Sequence, residues 1–256
     1  MKIIDLNEKY LQTFACCFED WSDEMTNAAP HTLDWYEQLK EKGLRVKIAL
    51  DNEDNAVGLI RYLPAEYSFI YAPGFYFVLC IWVHGYKDKG VGNKQKQGIG
   101  KALLNAAEED VKAIGAKGIA AWGLSEPFWM PTSFYKKFGY KVADSRHIME
   151  LVYKPFTKDV NPPKWLNPKK PVNIEGKTVI TALISGWCTG YNVGFQNFRK
   201  AAKELGVEFK VISTLALESI REWKQTDAIY IDDEEIALGP PPSYEDTLKI
   251  IQERIG

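Results

Sequence analysis

The residues best suited to chemistry stand at Gln95-Lys-Gln-Gly-Ile-Gly100. An apolar strand-like run, Tyr76 to His84, leads toward them, and a helical pattern, Lys101-Ala-Leu-Leu-Asn-Ala-Ala-Glu-Glu-Asp110, begins at once after them. Strand, glycine turn and helix start make a holder for phosphate. The first N–H groups of a helix have no intrahelical partner, and the dipole adds positive potential there. Gly98 and Gly100 let the backbone approach an anion where a Cβ would intrude. The backbone amides of Gln97, Gly98, Ile99, Gly100 and Lys101 are the candidate contacts, with Gln95 and Lys96 leading in. Lys87, Lys89, Lys94, Lys96 and Lys101 crowd the loop, either as a solvated face or as partners for phosphate. The spacing is neither the dinucleotide G-x-G-x-x-G nor a P-loop ending in Gly-Lys-Ser/Thr.

The elements that must position this loop follow from periodicity. Lys2–Leu6 reads as a short strand, and Asn7 caps a helix to about Asp20. A polar break at Ser22, Asp23, Asn27 and Pro30 precedes a second helix, Thr32 to Lys42, closed by Gly43. Arg45–Leu50 and Ala56–Tyr62 form a hairpin around Asp51–Asn55. After the loop helix come a strand at Ile119–Leu124, a helix opened by Pro131-Thr132, and strands at Tyr140–Ala143 and His147–Tyr153. Five prolines between Pro155 and Pro171 mark a stiff linker, so the expected domains are residues 1–156, a linker at 157–171, and residues 172–256. The second domain reads as strand Val179–Ile184, helix Phe195–Leu205, strand Val207–Ile212, helix Leu217–Lys224, a hairpin of Ala228–Ile231 with Glu235–Leu238, and helix Tyr244–Ile255.

Composition narrows the class. At 256 residues there is room for two modest cores, and a formal net charge of −2 argues against nucleic acid as a partner. The cysteines at 16, 17, 80 and 188 form no C-x-x-C pair, which argues against a disulfide framework or zinc site. Cys80 and His84 share a strand face but stand about 13 Å apart by strand rise, too far for a common metal. No apolar run reaches membrane-spanning length and the N-terminus lacks a signal-peptide core, so a soluble, reduced, cytoplasmic protein is expected.

Together with Phe134-Tyr-Lys-Lys-Phe-Gly-Tyr140, the Gln95-x-x-Gly-x-Gly100 loop resembles the GNAT family of acetyl-CoA-dependent N-acetyltransferases. The resemblance implies an α/β (α+β) acyl-CoA acyltransferase fold with a mixed, mostly antiparallel sheet. It implies acetyl-CoA as co-substrate and no metal, with the pyrophosphate on the loop and the pantetheine arm laid against Trp82, Val83 and His84. Tyr135 matches the family tyrosine that protonates the departing thiolate; the plainer alternative is an aromatic packed on the sheet. For the base, Glu126 beyond the splayed strand and His84 at the central strand end are both candidates, each with an ordinary structural reading beside it. Trp21, Glu24 and Trp129, with Phe128 near the last, would suit a cationic acceptor with an apolar body, or are simply a solvated acidic loop and core tryptophans. The expected partner is therefore a small-molecule or peptide amine, and the pattern leaves room for a homodimer.

Two departures stand out. Gly85 to Lys94 lengthen the usual short connection into the glycine loop, as a lid, an acceptor-binding loop or tolerated length. Ser125-Glu-Pro-Phe-Trp-Met-Pro131 stands where the family often carries an asparagine. The second domain resembles a small thioredoxin-like domain, and the pairing is similar to bacterial acetyltransferases with a YoaP-like C-terminal domain. Trp187-Cys-Thr-Gly-Tyr191 sits where a thioredoxin has Trp-Cys-x-x-Cys, but Tyr191 replaces the second cysteine, and no proline directly precedes the later hairpin strand. Cys188 is thus either a reactive thiol without a resolving partner or a packing residue. Besides acetyl transfer, a non-catalytic CoA-binding sensor and a thiol redox module remain as rival readings.

Overall fold

Alternating burial along Arg45–Leu50 and complete burial of Val57 to Leu63 place the hairpin they form at the centre of a sheet. The computed structural model describes residues 1–127, 130–236 and 240–255. In chain order its first elements are β1 (Lys2–Asp5), α1 (Leu11–Ala15), α2 (Asp23–Leu39), β2 (Arg45–Leu50), β3 (Ala56–Pro64), β4 (Ile70–Tyr71) and β5 (Phe75–Val83). There follow α3 (Ile99–Ala113), β6 (Gly118–Leu124), α4 (Thr132–Lys136), β7 (Lys141–Arg146), β8 (Met149–Pro155) and β9 (Lys164–Trp165). The C-terminal elements are β10 (Val179–Ile184), α5 (Thr189–Leu205), β11 (Glu208–Ser213), α6 (Leu217–Trp223), β12 (Ala228–Ile231), β13 (Glu234–Ile236) and α7 (Tyr244–Ile255). They divide into two units: Met1–Phe14 with Leu39–Leu166, and Ala15–Gln38 with Asn167–Gly256.

Among the described residues the first unit's main sheet has seven strands in the order β1-β2-β3-β5-β6-β8-β7, antiparallel except where β5 meets β6. Helix α3 buries Leu103, Leu104, Ala107 and Val111 against Ile60, Tyr62, Val78, Ile119 and Ala121 of the sheet. The spacing of 103, 104, 107 and 111 is the apolar stripe of a surface helix, and its burial is what anchors the loop ahead of it.

The β5–β6 pair shapes the middle of this sheet. Their parallel pairing runs only from Phe75↔Gly118 to Val78↔Ala121. Beyond it β5 stays with β3 as far as Val83↔Gly58, and β6 stays with β8 as far as Leu124↔Met149. The two strands therefore part. At the fork β5 bulges: Arg61 faces Cys80 and Tyr62 faces Val78, leaving Leu79 without a cross-strand partner on β3. A bulge adds local twist and turns backbone groups out of the ladder.

Several expected boundaries move. The helix expected from Asn7 to Asp20 is a short turn, Glu8–Tyr10, followed by α1. Cys17 and Phe18, with φ of 53° and 63°, break it there. Asn7 does cap the turn, its side chain accepting from Lys9 N at 3.1 Å. The second helix begins at Asp23, not Thr32, and runs straight through Pro30. Ala28, Thr32, Trp35 and Leu39 form one buried face across the proline, and that burial outweighs the breaker. Helix α5 likewise starts at Thr189, earlier than Phe195. The linker segment is not free of structure, since Lys164–Trp165 pair with Ile70–Tyr71 and Trp165 stacks on Phe69 at 5.9 Å. The expected strand end at residues 237–238 lies outside the described residues.

In the second unit the sheet order is β11-β10-β12-β13, with β10 and β11 parallel and the other pairs antiparallel. Ile180, Ala182, Phe198, Ala202, Ile229 and Ile251 form its core. Residues 15–38, placed by their sequence position in the first domain, group with this unit. A buried polar knot explains why. Thr32 Oγ1 donates to Gly186 O at 3.0 Å, Asn192 Nδ2 donates to Thr32 Oγ1 at 3.1 Å, and Thr189 Oγ1 donates to Ala15 O at 2.7 Å. Gly186, at φ 98°, is required there, because a Cβ would stand 2.4 Å from His31 O.

Asp227 closes the loop ahead of α5, accepting from Ser185 N at 3.0 Å, Ser185 Oγ at 2.6 Å and Gly186 N at 3.3 Å. Asp227→Ala leaves those donors without their acceptor and is expected to destabilise this unit by about 2 kcal/mol. Hydrogen exchange of the β10 and α5 amides measures it; unchanged protection there would refute the assignment of Asp227 as the loop's keystone.

Candidate active site

The site is built from three converging pieces: the start of α3, the parting ends of β5 and β6, and α4. Gly98 stands at the head of α3 with φ 82°, a left-handed conformation that disfavours any side chain, and a Cβ placed there would meet nothing within 4 Å. The glycine is thus demanded by backbone shape, and the space above it is open. No side chain caps α3 and no acidic residue occupies its first turn, so its leading N–H groups face that space with the full dipole behind them. Ile99 is 5% exposed and sends its side chain into the core, leaving only its backbone for a ligand. Gln95, Lys96, Gln97 and Lys101 are exposed around it. A Cβ on Gly100 would lie 3.3 Å from the Phe134 ring and 3.9 Å from Val83 Cγ2, which fixes how closely loop, α4 and strand end meet.

Gln95 does a bracing job. Its Nε2 donates to Val83 O at 3.3 Å, tying the loop to the end of β5. Val83 packs toward the α3 core, whereas Trp82 alternates to the opposite face, where its Nε1 has no hydrogen-bond partner among the described residues.

Tyr135 lies on α4 and is 1% exposed. Its hydroxyl has no hydrogen-bond partner among the described residues, an arrangement a stable core normally avoids. Burial, reinforced by the neighbouring Cys80 thiol, pushes its pKa well above the ordinary phenol value, so the proton stays on oxygen through the working pH range. Phe134 at 5.2 Å and Tyr140 at 5.4 Å hold the ring edge-on and tilted. Helix α4 is itself fixed by Thr132, whose hydroxyl donates to Glu150 and lies 3.2 Å from Leu124 O, and by a Lys136–Glu150 ion pair of 2.6 Å.

The two candidate bases sit in different settings. His84 is 1% exposed, its Nδ1 2.7 Å from Gly92 O. A carbonyl accepts only, so Nδ1 carries a proton and donates. Glu126 is exposed in the bend that follows β6.

The long connection Gly85–Lys94 folds back as an ordered loop. Lys94 N donates to His84 O at 2.8 Å, His84 N to Val57 O at 3.0 Å, and Lys94 Nζ pairs with Asp51 at 3.2 Å. Asp51 pays some desolvation, but the N–H groups of Asn55 and Glu53, with Lys94, hold its carboxyl below the usual range. Between this loop and the β2–β3 turn opens a cleft of about 690 Å³ lined by Asp51, Asn55, Val91, Lys94, Gln97 and Ile99.

Trp21 is half-buried ahead of α2 and Glu24 is exposed in its first turn, both among residues of the second unit. Trp129 and Phe128 lie outside the described residues. Cys188 is the N-cap residue of α5, half-buried, with its carbonyl accepting from Asn192 N at 2.9 Å. Among the described residues no His/Cys/Asp/Glu group is arranged to hold a metal, and no helix is long and apolar enough to cross a membrane.

Two features were missed by sequence reasoning. The Leu79 bulge leaves no mark in composition, because it depends on which residue of β3 stands opposite. Trp122 had a faint signal, as the one bulky side chain in Ala120-Ala-Trp-Gly123; its Nε1 donates to Leu79 O at 2.8 Å across the fork.

A model of the acetyltransferase (GNAT) family matches residues 7–140, more than half of the chain, and the chain belongs to that family. It is an N-acetyltransferase by class. It is 27% identical over 203 residues to an uncharacterized N-acetyltransferase, YoaP, of Bacillus subtilis strain 168, covering 77% of this chain and 74% of that protein. Among solved structures it is similar to the PaiA N-acetyltransferase of Thermoplasma acidophilum in complex with coenzyme A, at 19% identity and TM-score 0.45, over 61% of this chain and 100% of that one. A GNAT acetyltransferase of Brucella melitensis in complex with acetyl-CoA is similar at 16% identity and TM-score 0.41, over 65% and 94%.

Proposed function

We propose that the enzyme transfers the acetyl group of acetyl-CoA to a primary amine by direct attack on the thioester. The observation that carries this reading is the convergence of an open α3 N-terminus with a fork between β5 and β6 beside a buried phenol that has no hydrogen-bond partner among the described residues. The N–H groups from Gln97 to Lys101 bind the pyrophosphate, and the pantetheine arm follows β5 past Val83 and Trp82 toward the bulge. The amine nitrogen attacks the thioester carbonyl carbon, and the tetrahedral intermediate collapses with cleavage of the C–S bond. Tyr135 gives its proton to the departing thiolate, while Glu126 or His84 removes the ammonium proton directly or through water. Burial raises the pKa of the Tyr135 phenol, so the hydroxyl keeps its proton until the thiolate departs. Holding both reactants side by side contributes most of the acceleration.

The acceptor is a small-molecule or peptide amine, and the enzyme works in a reducing cytoplasm. We read the C-terminal residues as a thioredoxin-like domain, supported by the β11-β10-β12-β13 order with its single parallel pair. Its Cys188, at the start of α5, is the thiol we assign to it.

Calorimetric titration with acetyl-CoA, followed by thiol release across polyamines, aminoglycosides, amino acids and peptide N-termini, tests the activity. Micromolar binding with amine-dependent release of CoA is expected. Binding without release from any amine would favour a CoA-binding sensor, and no binding would overturn the cofactor assignment.

A further inference from the structure

Among the described residues the fork between β5 and β6 is bridged by a side-chain hydrogen bond. Residues Ile119 and Ala121 of β6 face the α3 core, so Trp122 alternates to the opposite face. From there its indole reaches across to β5 and donates to Leu79 O at 2.8 Å, at the residue that bulges out of the β3–β5 ladder. Its β6 neighbours Ala120, Ala121 and Gly123 add little bulk beside it.

A thioester held by the α3 loop and laid along β5 comes in from the Val83 end. Val83 to Leu79 spans about 13 Å at the usual strand rise, which brings the acyl end of the arm to the fork, where the strands close together. We propose that Trp122 limits the length of the acyl chain this enzyme accepts, its indole standing where carbons beyond an acetyl group would go. The inference rests on the acetyl-CoA reading above.

The test is calorimetric titration of the full chain with CoA, acetyl-CoA and butyryl-CoA, which needs no acceptor. Wild type is expected to bind butyryl-CoA about tenfold or more weaker than acetyl-CoA, the scale on which an apolar pocket discriminates methylenes. Trp122→Ala should shrink that ratio to about threefold or less while CoA affinity stays unchanged, which also reports that the variant is folded. Trp122→Leu, which keeps apolar bulk but not the reach across the gap, carries the same direction of change if the alanine variant does not fold. A wild type indifferent to chain length, or a ratio unmoved by both substitutions, overturns the role of Trp122. Failure of the wild type to bind CoA and acetyl-CoA at all would instead overturn the cofactor reading, and this inference with it.

Discussion

Tyr135→Phe is expected to lower kcat by about 10²–10⁴-fold, the usual weight of a general acid, with the Kd for acetyl-CoA unchanged. The hydroxyl is the only group the substitution removes, and the rest of the ring, held by Phe134 and Tyr140, is retained. Stability should move the other way. A buried hydroxyl with no partner among the described residues is a net cost to folding, so the phenylalanine variant is expected to be as stable as wild type or more so, by up to about 1 kcal/mol. Activity lost with stability kept or gained is a signature that a merely structural tyrosine would not give. The pH profile supplies a third readout. Because burial raises the pKa of Tyr135, the phenol remains protonated as pH rises through its ordinary value, and wild-type kcat should show no alkaline fall from this group below about pH 10. Steady-state kinetics, calorimetry and thermal unfolding on the two proteins settle the matter; an unchanged kcat would remove Tyr135 from the mechanism.

Gly98→Glu is expected to weaken acetyl-CoA binding by about a hundredfold, equivalent to losing one or two charge-assisted hydrogen bonds to the pyrophosphate. The substitution does two things at once. It forces a side chain onto a backbone held at φ 82°, and it sets a carboxylate at the positive end of α3 in the space an anion would use. Gly98→Ala separates them. A methyl group meets nothing within 4 Å, so only the backbone strain remains, worth about 1 kcal/mol of stability, and affinity should change by no more than severalfold. Equal binding by wild type and the glutamate variant would detach the cofactor from this loop.

What could be read ahead of the structure was local. The Gly98 turn and the helix after it depend on neighbouring residues, as do the β2–β3 hairpin around Asp51–Asn55 and the strand at Val179–Ile184, and each appears where the pattern predicts it. The Phe134–Tyr140 segment was legible for the same reason, since its tyrosine, its short helix and its closing Gly139 are neighbours in the chain. Elements whose limits depend on distant partners were misjudged. Pro30 looked like a break, but the stripe Ala28, Thr32, Trp35 and Leu39 buries as one face, and helix propensity yields to it.

By itself, then, the sequence determined the Gly98 turn, the helix after it and the succession of the main strands along the chain, all products of short-range backbone geometry and of apolar periodicity. Only the tertiary structure decided that β5 and β6 part after Val78 and Ala121, that Leu79 bulges, that Trp122 spans the gap, and that residues 15–38 join the C-terminal unit. Each of those depends on which backbone groups lie opposite one another and on polar atoms such as those of Thr32, Gly186 and Asn192 finding partners about 160 residues away in the chain, where an unpaired buried group would cost about 1–3 kcal/mol.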